Sequence, residues 1–177
     1  MRFKSLFLTI LTAGFALSAR GADMPDACAL LQPAELLVLG MPQAVSGVAR
    51  SDDAGTYKAC TYRWEGTAAD KSVLVATVAV SVPGADRILQ FGALLQKALS
   101  DNTTEQLQAR GEFYAGRLMC KVQLLAPAEL SQCIGATATS VVTLAVSRSV
   151  TADQVVYPTL QLNLMSKLTA RVQAAGG

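Results

Sequence analysis

Histidine is absent from this sequence. That absence excludes Ser-His-Asp and Cys-His nucleophilic catalysis within the chain. It also excludes helix-borne His zinc motifs and His-based pH switches. No Gly-Xaa-Ser-Xaa-Gly elbow, phosphate-binding Gly-rich loop, dinucleotide fingerprint or Ser-Xaa-Xaa-Lys pair occurs. Cys-Xaa-Xaa-Cys is missing too, and the cysteine spacing does not supply the two close pairs of an all-cysteine metal site. No cofactor and no metal are expected, and no catalytic residue is assigned. Asp52-Asp53 before Gly55 lacks the spaced oxygen ligands and closing Glu of a calcium loop, so a polar turn is expected there.

Long apolar runs are equally scarce. Leu6 to Leu17 is uncharged and follows Arg2 and Lys4, and Ala16-Leu17-Ser18 and Ala19-Arg20-Gly21 each offer small residues at the −3 and −1 positions of a cleavage site. This is the pattern of a cleavable export signal, expected over residues 1–21. It is too short for a comfortable bilayer span, which needs about 20 apolar residues. Val73 to Val82 is apolar but has strand length, so no stable membrane insertion is expected. Residues 22–177 are expected to form a single domain.

Basic excess is lacking once that segment is set aside. Removing Arg2, Lys4 and Arg20 from 15 basic residues leaves 12 against 13 acidic ones. Nothing remains to neutralise a phosphate backbone, which argues against nucleic acid as a partner.

Four cysteines are present: Cys28, Cys60, Cys120 and Cys133. An even count in an exported chain implies disulfides, and four cysteines permit three pairings. The midpoint between Cys120 and Cys133 falls on the break at Ala126-Pro127, which favours that pair. Cys28–Cys60 follows by elimination and would tie the first helical segment to the strand bearing Tyr62 and Trp64.

The elements read in the order helix, strands, helix, strands, helix. Asp26 to Leu31 makes a short helical turn, and Pro33-Ala34-Glu35 opens a second helix closed by Gly40. Val45–Arg50, Lys58–Glu65, Val73–Val82, Leu118–Leu125 and Thr137–Ser147 read as strands. Leu74, Ala76, Val78, Val80 and Val82 share one face, assigned to the core. Asp86–Leu99 has helical spacing. Thr151 and Gln154 suggest a capping box, and a last helix over Pro158–Val172 stacks Leu160, Leu164, Leu168 and Val172. This order predicts an α+β fold, an antiparallel or mixed β-sheet covered by helices, with two disulfides.

Seven aromatics follow the signal region, and two pairs are binding candidates. Tyr62 and Trp64 share a strand face that could stack a sugar or anchor a protein. Because Cys60 is on that face too, packing on the core beside a disulfide is the favoured reading. Phe113 and Tyr114 lie between Gly111 and Gly116 in a loop or hairpin, the better place for a binding pair. Carboxylate-pair catalysis stays open, since Glu35, Glu65, Asp70, Asp86, Glu105, Glu112 and Glu129 could meet in space. Surface or capping roles are the favoured reading for them. Asn102-Thr103-Thr104 matches a glycosylation acceptor, which matters in a eukaryotic secretory path.

Residues 26–64 carry Cys28-Ala29-Leu30-Leu31-Gln32-Pro33-Ala34-Glu35 and Cys60-Thr61-Tyr62. This stretch resembles small exported bacterial proteins and lipoproteins of uncharacterised function. Those open with a Cys-Xaa-Leu-Leu-Thr-Pro-Xaa-Glu helix and carry a second Cys-Thr-Tyr/Trp strand. The resemblance implies an α+β domain with Cys28 and Cys60 bridged. Gln32 departs from the family's Thr, lipidation is not expected at Cys28 after Pro25-Asp26-Ala27, and Cys120 and Cys133 lie outside the pattern.

Taken together, the residues point to a non-enzymatic periplasmic or secreted binding protein with a protein partner in the cell envelope. Such a protein could be an inhibitor, an immunity-type protein or an envelope accessory. The alternatives are a carboxylate-dependent hydrolase of envelope glycans and a small-molecule or lipid carrier with an enclosed apolar pocket.

Overall fold

A computed structural model describes residues 24–41, 44–66, 72–125, 128–149 and 158–176. The expected signal segment, the capping box at Thr151 and Gln154, and Asp70 lie outside these residues. Among them, five helices accompany a seven-stranded sheet, an α+β fold. The helices are α1 (Ala27–Leu30), α2 (Pro33–Val38), α3 (Ala85–Asp101), α4 (Thr104–Ala109) and α5 (Pro158–Ala174). The strands are β1 (Gly47–Ser51), β2 (Tyr57–Glu65), β3 (Val73–Ser81), β4 (Glu112–Ala115), β5 (Leu118–Leu125), β6 (Ala128–Ala136) and β7 (Val141–Ser149).

Every strand pair is antiparallel, in the order β1-β2-β3-β7-β6-β5-β4. Two meanders, β1 to β3 and β4 to β7, meet along the β3–β7 seam. Strand alternation puts Cys60 and Tyr62 of β2, Ala76, Val78 and Val80 of β3, and Val142 and Leu144 of β7 on one buried face. α1 packs on that face over β1, β2 and β3, and α5 packs over β4 to β7. Met41, Met165, Leu168 and Val172 are fully buried in the layer between sheet and helices. On the opposite face Ala59, Ala79 and Ala136 are buried. α3 and α4 take the chain from β3 to the far margin at β4, burying Ile88, Leu95 and Leu107.

Both disulfides are formed, Cys28–Cys60 and Cys120–Cys133, and no described cysteine is free. Cys120 and Cys133 are directly opposite across β5 and β6. The register places Ala49, Cys60, Val78, Leu144, Cys133, Cys120 and Phe113 in a single transverse row. Gly47 permits the first bridge, because a Cβ there would strike Cys60 Sγ and lie 2.9 Å from the Tyr62 ring.

The N-terminal segment is a cap over the first meander. Met24, Ala27, Leu30, Leu31, Leu36, Leu39 and Met41 are all buried. Asp26 caps α1 by accepting from Cys28 N–H at 3.0 Å, and Pro33 starts α2. Gly40 takes a φ of 91° as the helix ends. The cap is tied down by the Cys28–Cys60 bond, by Tyr62 Oη donating to Cys28 O at 2.8 Å, and by Lys58 Nζ donating to Met24 O at 2.6 Å.

Several expectations shift. The seventh strand begins at Val141, not Thr137, because Thr137 Oγ1 accepts from the N–H groups of Thr139 and Ser140 and folds 137–140 into the β6–β7 turn. Val82 lies just beyond β3 and is 44 % exposed. On α5 the buried stripe runs through Gln161, Leu164, Met165, Leu168 and Val172, leaving Leu160 outside it. Four-residue steps drift around a helix by about 40° each, and three such steps carry Leu160 off the face.

Candidate functional site

Tyr62 belongs to the core. Only 4 % of it is exposed, and its hydroxyl holds α1. Burial, with Asp26 nearby, pushes its phenol above the usual range. Trp64 is half-buried and packs against the same core, next to Leu74 across the β2–β3 pair. The favoured reading of these two residues as core material fits their positions.

Phe113 and Tyr114 sit on β4 and, as neighbours in a strand, point to opposite faces. Tyr114 Oη donates to Glu112 Oε2 at 3.3 Å. Phe113 packs at the rim of the main core and lines a groove at the β4 margin. Hence the structure separates Tyr62 and Trp64 from Phe113 and divides Phe113 from Tyr114.

The groove has a volume of about 760 Å³. Its walls are Gln108 to Gly111, at the end of α4, together with Phe113, Val122, Gln123, Leu124 and the start of α5 at Pro158. Local sequence explains why it is there. Thr103 and Gln106 form a capping box that starts α4, and the helix ends at Arg110-Gly111. Gly111 has a φ of 70°, and a Cβ there would strike Val122 O. Only glycine brings the backbone this close to β5. β4 then pairs just Glu112 to Ala115 against Lys121 to Leu118, while β5 continues to Leu125. Leu124 is left 69 % exposed on the face that further along carries Cys120.

Arg110 and Lys121 share Glu112, at 3.3 and 3.4 Å. Burial works to raise the Glu112 pKa, but the two cations outweigh it and hold the carboxyl below its ordinary value. Arg110 Nη1 also donates to Asn102 Oδ1 at 3.0 Å. Asn102 in turn donates to Ala98 O, so the Asn-Thr-Thr stretch is the joint between α3 and α4.

The remaining carboxylates have separate partners. Glu35 pairs with Arg171, Glu65 with Arg63, and Glu129 with Arg148. Asp86 and Glu105 lie exposed in the first turns of α3 and α4. Asp52 accepts from Thr56 N–H at 2.8 Å and Tyr57 N–H at 3.0 Å, the polar turn expected of it. Among the described residues no cluster of three or more His, Cys, Asp or Glu could hold a metal. No described helix is long and apolar enough to cross a membrane.

Residues missed from sequence are Leu124, Arg110 and Pro158. Leu124 continues the alternation of Leu118, Cys120 and Val122 and reads as core. What exposes it is the early stop of β4, which sequence signals only through Gly111.

Comparison with protein-family models, with curated proteins and with solved structures returns no match for this chain. Fold and site alone define the class: an α+β protein braced by two disulfides, with an apolar groove at one sheet margin.

Proposed function

We propose that this protein is a non-enzymatic binding protein of an oxidising compartment, periplasmic or secreted, that engages an envelope protein through the groove beside Phe113. The observation carrying this reading is Leu124, a large apolar side chain 69 % exposed in a groove that it lines together with Phe113, Val122 and Pro158. What makes the groove a binding candidate is its concavity, with apolar side chains and a few convergent polar groups lining one site. Here the rim is Gln108, Arg110 and Gln123. The two disulfides support the compartment, since such bonds persist where thiols are not kept reduced. The Cys28 and Cys60 contexts, resembling exported bacterial proteins, point the same way.

The test is retention of an envelope protein by immobilised wild type and by Phe113→Ala and Leu124→Lys variants that keep the wild-type circular dichroism. Binding through the groove predicts a band held by wild type and lost from both variants. Equal retention by all three, or none by wild type, overturns the reading.

A further inference from the structure

We infer that the groove takes an extended, acidic segment of a partner protein as an added strand on the outer edge of β5. This rests on the binding reading above and specifies its chemistry.

The backbone carries the first part of the inference. In an antiparallel pair the N–H and C=O of a residue point to the same edge, and successive residues alternate between edges. Val122 N–H donates to Gly111 O at 2.8 Å, so Val122 faces the β4 side. Leu124, two residues on, turns its N–H and C=O to that side as well. β4 has already ended there, and no described strand pairs with Leu124 on that edge. Gly111 N–H does not return a bond to Val122 O but donates to Gln108 O at 2.9 Å. Val122 C=O lies against Gly111, so the open edge inside the groove is the N–H and C=O of Leu124, with no described strand beside them. Backbone pairing at such an edge gives affinity, and alternate side chains give selectivity.

The side chains supply the second part. An added strand would place every second residue on the face shared by Leu124, Phe113 and Pro158, which suits apolar groups. Its intervening residues would face the side of Gln123 and Lys121. Arg110 and Lys121 share one carboxylate, leaving a net positive charge at the rim. Glu105 stands at the opposite end of α4, and Glu129 is occupied by Arg148. Alternating apolar and acidic residues therefore complement the site.

The probe is a short acetylated peptide alternating Val and Glu, titrated onto the intact protein with amide exchange followed by NMR. The proposal predicts saturable binding and new protection of the Leu124 amide. Replacing Glu by Lys in the peptide, or Arg110 by Gln in the protein, is expected to weaken binding about tenfold, and N-methylation of alternate peptide amides at least as much. Two results overturn the proposal. One is a Leu124 amide already as protected as that of Cys120 in the free protein, since the edge would then be paired within the chain. The other is N-methylated peptide binding as tightly as the parent; groove binding would survive that result, and strand addition would not. If the peptide fails to bind while the envelope partner is still retained through Phe113 and Leu124, the inference falls and the reading beneath it stands.

Discussion

Arg171, in the last turns of α5, grips Glu35 of α2 with two hydrogen bonds, Nη1 to Oε2 at 2.6 Å and Nη2 to Oε1 at 2.7 Å. Nη1 also donates to Leu30 O at 2.6 Å. One guanidinium thus joins the carboxylate of the second helix to the end of the first. Glu35 also accepts from Gln32 N–H at 3.0 Å, so the residue that caps α2 anchors α5.

Breaking that grip has a signed pH consequence. Burial works to raise the Glu35 pKa, yet Arg171 and the Gln32 N–H outweigh it and hold it below its ordinary 4.5. A depressed carboxylate pKa stabilises the fold above the unfolded value, and the gain is lost as pH falls through the folded value. Thermal melts from pH 7 down to pH 3 are expected to show wild type losing Tm below about pH 4.5. Glu35→Gln should lower Tm at pH 7, by the equivalent of about 2 kcal/mol, and flatten that acid limb. The figure lies between those of surface and buried pairs because the Arg171 side chain is 28 % exposed. An unchanged acid limb would refute the assignment.

Glu129 and Arg148 make the second test. Arg148 Nε and Nη2 donate to Glu129 Oε2 at 3.0 and 2.8 Å, and Glu129 is 2 % exposed. Glu129→Leu removes the buried carboxylate that Arg148 pairs with and should cost about 3 kcal/mol in urea unfolding. The double change Glu129→Leu with Arg148→Leu should recover part of that loss. A double variant less stable than the single would show that Arg148 contributes chiefly through other partners.

The disulfides differ in what they restrain. Cys28–Cys60 closes a separation of 32 residues and Cys120–Cys133 one of 13. Loop entropy assigns about 4 kcal/mol to the first and about 3 kcal/mol to the second. The second also joins residues already facing each other across a hairpin, whereas the first fixes a helix to a strand. Replacing Cys28 and Cys60 by Ala is expected to lower the urea midpoint more than replacing Cys120 and Cys133. Equal shifts would contradict this ranking.

Gly111→Ala tests the turn that opens the groove. Its Cβ must adopt a positive φ and displace Val122 O, so a loss of about 1–3 kcal/mol is expected. Gly116→Ala, with φ of 59° but nothing within 4 Å of the added carbon, should cost less. Paired melting curves of the two variants check the difference.

How much of this was legible follows from the signal each element carries. β2 and β5 alternate and β3 is an apolar run of strand length, so all three were readable, as was the pairing of the cysteines. β6 was not evident as a strand, because its inward residues include Glu129, Ser131 and Gly135, whose burial depends on neighbours far along the chain. α4 is a single short helix announced only by Thr103 and Gln106. The candidate site was half readable. Phe113 stood out by composition, whereas Leu124 acquires its role from where another strand ends. No local pattern pairs Glu35 with Arg171.

The order of the strands has a temporal meaning. β7, the last of the described strands, lies at the centre of the sheet and joins the two meanders by pairing with β3. The first meander keeps a naked flank until β7 arrives, and the N-terminal cap keeps an unneutralised carboxylate until Arg171 follows. Assembly therefore waits for β7 and α5. A nascent chain halted before β7 would hold two incomplete halves, each with an open strand to offer to a stranger.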